Sequence, residues 1–308
     1  MSPLSALAAA GQDAAEIGRL FSVMAVGALL VWAGVIAVAI YAVRDNRRTH
    51  SQGEANLFIL GGGVALPTAV LAALLAYGLL VLGDVLEPGA PGAVTIHVTG
   101  KQWWWRVEYR TPGGSVETAN EIHLPVGERT GLQLSSPDVI HSFWVPSLAG
   151  KIDMIPGRST RIALEPTRTG VFGGACAEYC GAAHARMHFD VAVTTRSEFD
   201  VWLASQAQAA REPADSQQLD GRTAFMTHGC SACHTVRGLT DVGRIGPDLT
   251  HVGSRLRIAA GTLPNGAADF ARWIGDAGSI KPGVHMPAFR ALSVPDLAAL
   301  GAYLESLQ

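Results

Sequence analysis

The sequence predicts three parts in order: a hairpin of two membrane-spanning helices, an all-β domain and a small all-α domain. Three observations carry this. Two long uncharged apolar runs precede Asp84, short alternating strands broken by Gly/Pro turns follow to about Ala210, and helical segments then surround a C-x-x-C-H sequence. Of the 308 residues, 48% are hydrophobic and only 16% charged, against about 25% charged in an average soluble domain. The apolar excess is concentrated in the two runs, which points to spans rather than to one large core. A net charge of -3 with no extended basic run excludes a broad nucleic-acid footprint.

The first run, Leu20–Val43, carries no acidic or basic residue. At about 1.5 Å per helical residue it covers the ~30 Å hydrocarbon core. The second span is expected over residues 57–82, where Pro67 should kink it and Gly61, Gly62 and Gly63 would permit close helix approach. The connecting loop, residues 44–56, holds Arg44, Arg47 and Arg48, so the positive-inside rule makes it cytoplasmic. Residues 1–19 then form an outward-facing tail, and everything beyond Asp84 is extracytoplasmic. This predicts a multi-pass protein of a bacterial-type inner membrane, with the lipid bilayer as a partner.

Residues 84–210 read as β. Val94, Ile96 and Val98 alternate, as do Ile162 and Leu164, then Phe189, Val191 and Val193. Turn signals recur at Pro112-Gly113-Gly114, Pro156-Gly157 and Gly173-Gly174, which suits a sandwich or barrel. Residues 197–209 read as a closing helix. Within this domain lies Cys176-Ala-Glu178-Tyr-Cys180-Gly-Ala-Ala-His184-Ala-Arg-Met187. Thiolate, imidazole and thioether form a soft donor set that suits copper better than magnesium or calcium. A second imidazole would complete a two-metal site, and His141 is the candidate. A Cys176–Cys180 disulfide, a zinc site and three residues along one helix face remain open on spacing alone, although the neighbouring glycines favour a loop.

A polar linker, residues 211–218, leads to a last domain over residues 219–308. Cys230-Ser-Ala-Cys233-His234 has the pattern of c-type haem attachment, with both thiols bonded to the haem and His234 on the iron. A zinc half-site or a redox thiol pair would share part of that pattern. The sixth iron ligand is sought in Lys281-Pro-Gly-Val-His285-Met286-Pro, where Met286 is expected and His285 could compete. Asp220 and Ser293 are candidate helix N-caps, and Leu297, Leu300, Leu304 and Leu307 make one apolar stripe.

The copper-type motif, the preceding helix hairpin, Gly100-Lys-Gln-Trp103-Trp-Trp105 and Lys151-Ile-Asp-Met-Ile-Pro-Gly-Arg158 together resemble subunit II of haem–copper cytochrome c oxidases, from Ile17 to about Val201. The C-terminal part resembles a small cytochrome c, as in caa-type oxidases that carry one fused. The resemblance implies a cupredoxin-like sandwich and a dinuclear copper (CuA) centre. Cys176 and Cys180 would bridge both coppers, His141 and His184 would each bind one, and Met187 and the Glu178 carbonyl would be weaker axial ligands. The Glu178 side chain would face a magnesium or manganese ion shared with subunit I, and Trp103 would admit electrons. Haem c would be held by Cys230, Cys233, His234 and Met286, with the Pro247 carbonyl orienting His234. The implied function is electron transport in a respiratory chain: electrons from cytochrome c pass through this chain's own haem c and then its dinuclear copper centre to haem in subunit I, where oxygen is reduced with proton pumping. No acid–base catalysis falls to this chain, and subunit III is an expected further partner. A copper-containing nitric oxide reductase and a stand-alone membrane-anchored carrier would share the copper motif. Quinol oxidase subunits resemble the fold but lack the copper ligands. One position departs from the family: many members carry a Glu seven residues before the helix proline, at the mouth of a proton path, and this chain has Leu60 there.

Overall fold

The computed structural model describes residues 4–44, 49–85 and 94–308. Arg47 and Arg48 of the loop expected to be cytoplasmic and the first residues of the β domain lie outside them. Helix α1 (Gln12–Arg44) contains the first uncharged run and starts before it. Absence of charge bounds the apolar stretch and not the helix. Glu16 and Arg19 pair across one turn at 3.0 Å and continue the helix toward its N-terminus. The second apolar helix opens with α2 (Gln52–Asn56), where Ser51 and Glu54 form a capping box. It continues through a stretch of wider π turns over Leu57–Ala65 and ends as α3 (Leu66–Val85). The π turns end at Ala65, two residues before Pro67, so the proline lies inside one continuous helix directly after the widened turns. The apolar windows of both helices are wholly unburied, as expected of surfaces meant for lipid.

The β domain is a sandwich of two five-stranded sheets. Its strands are β1 (Thr95–Lys101), β2 (Trp104–Thr111), β3 (Gly114–Ala119), β4 (Glu121–Pro125), β5 (Thr130–Ser135), β6 (His141–Trp144), β7 (Lys151–Met154), β8 (Thr160–Leu164), β9 (Gly170–Cys176) and β10 (His188–Thr194). One sheet runs β3-β2-β1-β5-β8 and the other β4-β10-β9-β6-β7. Pairs β1/β5 and β4/β10 are parallel, the rest antiparallel. The period-two alternation buries Ile96, Val98, Trp105, Val107, Tyr109, Phe189, Val191 and Val193 between the sheets. Helix α4 (Arg196–Gln206), capped by Thr195 and Glu198, closes the domain. The N-terminal tail is stitched to it: the Ala10 amide donates to the Ser147 carbonyl at 2.7 Å and the Thr167 amide to the Ala10 carbonyl at 2.8 Å. Gly11 lies so close to Leu148 that an added Cβ would sit 2.3 Å from its carbonyl oxygen.

The C-terminal module comprises α5 (Ser216–Thr227), a two-residue hairpin β11 (Arg257–Ile258) and β12 (Leu263–Pro264), α6 (Ala267–Gly275), α7 (Ala277–Ile280) and α8 (Val294–Ser306). Asp215, not Asp220, caps α5, because the helix begins inside the polar stretch read as linker. Ser293 caps α8. Leu300, Leu304 and Leu307 are buried on the stripe of α8, and Leu297 packs at its margin. Helices α5 and α8 cross at Gly221, where a Cβ would fall 2.0 Å from the Ala299 carbonyl oxygen, so only glycine permits that approach.

Candidate metal centres

Strand β9 ends at Cys176 and strand β6 begins at His141, and pairing of Phe143 with Cys176 brings the two strand ends together. The intervening chain to β10 is a loop with one short turn of 3-10 helix at His184–Arg186 and a left-handed Gly181 at φ 115°. The helix-face alternative is thereby excluded. Both thiols are free, which removes the disulfide. Cys176 Sγ lies 3.8 Å from Cys180 Sγ and 3.8 Å from His141 Nδ1. Cys180 Sγ lies 3.6 Å from His184 Nδ1 and 3.8 Å from Met187 Sδ. The Glu178 carbonyl oxygen is 3.2 Å from Cys176 Sγ. Ligand atoms of His141, Cys176 and Cys180 all lie within 4.8 Å of one another, and all three residues are buried. The structure thus gathers all six expected donors around two sulfurs, with one imidazole beside each.

A second cluster lies in the C-terminal module. A 3-10 turn over Cys230–Ala232 follows left-handed Gly229 and presents Cys230 and Cys233 as free thiols. His234 Nδ1 donates to the Pro247 carbonyl at 2.8 Å, leaving Nε2 without a hydrogen-bond partner among the described residues. Gly246 lies under the ring: a Cβ there would fall 2.5 Å from Cε1. Burial lowers the His234 pKa, with the Pro247 hydrogen bond opposing. Burial thus favours the neutral ring, the form that can bind a metal. Met286 packs at the margin of the same core.

Residues 111–194 match the family described as cytochrome c oxidase subunit II, periplasmic domain, and residues 218–308 match cytochrome c. Cytochrome c oxidase subunit 2 of Alkalihalophilus pseudofirmus is 40% identical over 215 residues, covering 70% of this chain and 61% of that protein. Its counterpart in Bacillus sp. strain PS3 is 34% identical over 227 residues, covering 70% and 62%. The crystal structure of the periplasmic domain of subunit II of cytochrome oxidase of Bradyrhizobium japonicum is 35% identical, covers 38% of this chain and 95% of that one, and has a TM-score of 0.36. This chain joins a cytochrome c oxidase subunit II domain to a cytochrome c domain. It spans about three-fifths of the length of the curated relatives it matches.

A subunit II domain implies copper and a cytochrome c domain implies haem c. The residues fit both. In the subunit II domain the donor set is soft, buried and preassembled at contact distance. In the cytochrome domain the free cysteines are both on the turn before an oriented, half-free imidazole. The electrostatics of the sulfur pair also suit a metal. Hydrogen bonding from the Cys180 thiol pulls Cys176 down to about 3, against the cost of burial, with His141 assisting. The neighbouring Cys176 sulfur and burial push Cys180 up. The opposed shifts make one thiol of the pair easier and the other harder to deprotonate, and a bound cation would favour loss of the remaining proton. His141 Nε2 meets Asp138 Oδ1 at 2.9 Å, and Asp138 also accepts the Gln102 and Val139 amides at 2.8 and 2.7 Å. These contacts fix the imidazole so that Nδ1 faces the sulfurs. The Glu178 carboxylate accepts from the Tyr179 amide at 3.3 Å.

Trp103 is buried, and its Nε1 donates to the Cys180 carbonyl at 3.0 Å. The His285 ring lies 5.9 Å from the Trp103 ring. Sequence reasoning missed Asp138, although a carboxylate three residues before a candidate ligand is a usable signal for an orienting group. It also missed Lys281, a buried lysine that no periodicity or motif marks.

Proposed function

We propose that this chain is the electron-input subunit of a terminal oxidase. It takes electrons from cytochrome c and passes them to haem in a partner subunit I, where each dioxygen takes up four electrons and four protons to become two waters, with proton pumping. The observation that carries the reading is the pairing of two free-thiol clusters, each beside its own imidazoles, on two domains of these families. Bound there, a copper pair and a haem c supply reversible one-electron chemistry.

The chain's own residues hold and shield. The copper pair would be held by the Cys176 and Cys180 sulfurs and the His141 and His184 imidazoles, with Met187 and the Glu178 carbonyl as weaker donors. Cys230 and Cys233 are assigned as thioether attachments, and His234 and Met286 as iron ligands. The Glu178 carboxylate is assigned to a magnesium or manganese ion at the boundary with subunit I. Beneath the copper cluster, Trp105, Phe143 and Phe189 pack with ring centroids 4.8–5.9 Å apart. This stiff aromatic floor excludes water and resists movement of the ligands when the charge changes. Membrane attachment through α1 and the helix ending in α3, with both outer domains extracytoplasmic, is supported by the basic loop and by the tail. Hydrogen bonds tie residues 10–12 to the β domain, so the chain ahead of the first span and the domain after the second share a side. Subunit III is the further expected partner.

The test is copper, iron and haem content of the purified chain with an electron paramagnetic resonance spectrum of the oxidised protein. Two coppers sharing one unpaired electron and one covalent haem are expected. A single copper, zinc, or a folded chain that takes up neither group would overturn the assignment. Turnover with oxygen rather than nitric oxide, in the complex with subunit I, tests the reaction.

A further inference from the structure

The hairpin between β1 and β2, residues 101–106, lies against both loops of the cytochrome module that carry its expected iron ligands. On the His234 side, Arg106 Nη2 donates to the Arg244 carbonyl at 2.6 Å, and Lys101 Nζ reaches the Ile245 carbonyl at 3.5 Å. On the Met286 side, Lys281 Nζ donates to the Trp103 carbonyl at 2.6 Å and to the Ala259 carbonyl at 3.3 Å. Lys281 is only 2% exposed and has no carboxylate partner among the described residues. Its two acceptors belong to different modules. A lysine nitrogen buried against two carbonyls is a costly way to hold an interface together. It is well suited to defining a single seat, because only one placement satisfies both bonds.

That seat covers Trp103. The indole is 6% exposed. Gly181 approaches the ring, and a Cβ there would come within 3.0 Å of it; a Cβ on Gly283 would come within 2.9 Å of the same ring. Gly283 belongs to the cytochrome module, two residues from Lys281. Two further contacts hold the same placement: Arg257 grips Asp190 through two nitrogens, one at 2.8 Å, and the Leu256 amide donates to Glu121 at 2.7 Å.

We propose that Lys281 is a positioning residue that latches the cytochrome module onto the 101–106 hairpin. Trp103 is thereby a sealed internal contact between the modules and is closed to a separate donor protein. External electrons are then taken up only through the module's haem. The inference rests on the proposed function, which supplies the reason for a donor to approach at all.

The test uses the full chain loaded with both cofactors. Hydroxyl-radical footprinting with mass spectrometry reads Trp103, with half-buried Trp104 and fully buried Trp105 in the same peptide as references. In the unaltered chain Trp103 is protected like Trp105. In Lys281→Ala, which takes from the Trp103 carbonyl its bond across the modules while Ala259 keeps the Thr262 hydroxyl, Trp103 labelling rises about tenfold or more, while Trp105 and the haem and copper spectra stay unchanged. Val294→Ala, which trims a side chain 80% exposed on α8, leaves the labelling unaltered. A Lys281→Ala chain that fails to load is replaced by Arg257→Ala, with the same expected result. In the opened variant a separate reduced cytochrome c also reduces the copper without prior reduction of the chain's haem. Loaded variants in which Trp103 stays as protected as in the unaltered chain overturn the latch and leave the function standing. An unaltered chain that binds neither cofactor overturns the function itself.

Discussion

Replacing Gly246 by alanine tests how tightly the cytochrome module holds its histidine. The added Cβ would stand 2.5 Å from Cε1, 2.8 Å from Nδ1 and 3.0 Å from Nε2 of His234. Ordinary contact begins near 3.4 Å, so the ring must retreat by about 0.9 Å. It cannot do so freely. Nδ1 is committed to the Pro247 carbonyl at 2.8 Å, the Gly246 amide bonds the Cys233 carbonyl at 2.9 Å, and Gly243 abuts the His234 backbone from another side. Overpacking costs about 1–3 kcal/mol, and loss of the hydrogen bond adds about 1 kcal/mol. For a module of this size about 1 kcal/mol moves Tm by 4–8 °C, so a fall of at least about 8 °C is expected in thermal unfolding followed by haem absorbance. The haem stays attached through its thioethers, but the displaced imidazole should shift part of the iron from low to high spin. Gly266→Ala is the control, since its Cβ would meet nothing nearer than 3.8 Å. A Gly246→Ala protein with unaltered Tm and an unaltered haem spectrum would refute the claim that the ring is pinned.

Three further outcomes follow from the same contacts. Asp138→Asn keeps the shape but removes the charge that orients His141, so copper affinity should drop about 10–100-fold in competition against a chelator; equal affinity would show that the amide contacts alone suffice. Arg257→Ala strands the Asp190 carboxylate, 5% exposed, and should cost about 2 kcal/mol in urea unfolding, less than a fully buried pair because Arg257 is partly open to solvent; a change below about 0.5 kcal/mol would count against it. Burial lowers Lys281 from 10.5 to about 7, with the Cys180 thiol opposing and Arg186 reinforcing. The docked state therefore binds fewer protons than the free one between those values, so docking should strengthen as pH rises from about 7 toward 10.5, by up to about tenfold per unit, and should be insensitive to this group below 7. Trp103 footprinting across pH 6–9 reads this, and protection that weakens with rising pH would contradict it.

Much of the architecture was legible because local signals were strong and agreed. Alternation around Trp105 and Phe189 and the stripe on α8 report burial through the chemistry of neighbouring residues, and the uncharged runs report helices long and apolar enough to cross a membrane. What escaped was set by conditions that composition does not encode. The start of α1 was misjudged because a charge ends an apolar run without ending a helix. Asp220 is expected as a cap because the polar stretch 211–218 reads as linker, whereas α5 begins inside that stretch and Asp215 caps it. The π turns before Pro67 reflect how a helix accommodates a proline, which no single residue announces. At the copper cluster, spacing alone left a disulfide and a helix face open. The loop with left-handed Gly181 closes the helix face and the free thiols close the disulfide, while β6 and β9 bring His141 to the end of the strand that carries Cys176.

The contact between modules was the least legible, and the reason is thermodynamic. A linker as short as residues 207–215 keeps the cytochrome module at high effective concentration near the copper domain. Docking then needs little affinity, so there is no demand for the large apolar patch that would mark an interface in the sequence. What a tethered electron donor needs is geometry, because transfer falls off steeply with distance and a loosely placed module would spend much of its time too far away. Polar contacts meet that demand better than apolar ones. Lys281 between the Trp103 and Ala259 carbonyls, and Arg257 across the Asp190 carboxylate, are each satisfied in one placement and unsatisfied in its neighbours. The same residues scattered along the sequence look like ordinary surface charges, and only the folded arrangement shows that they select a seat.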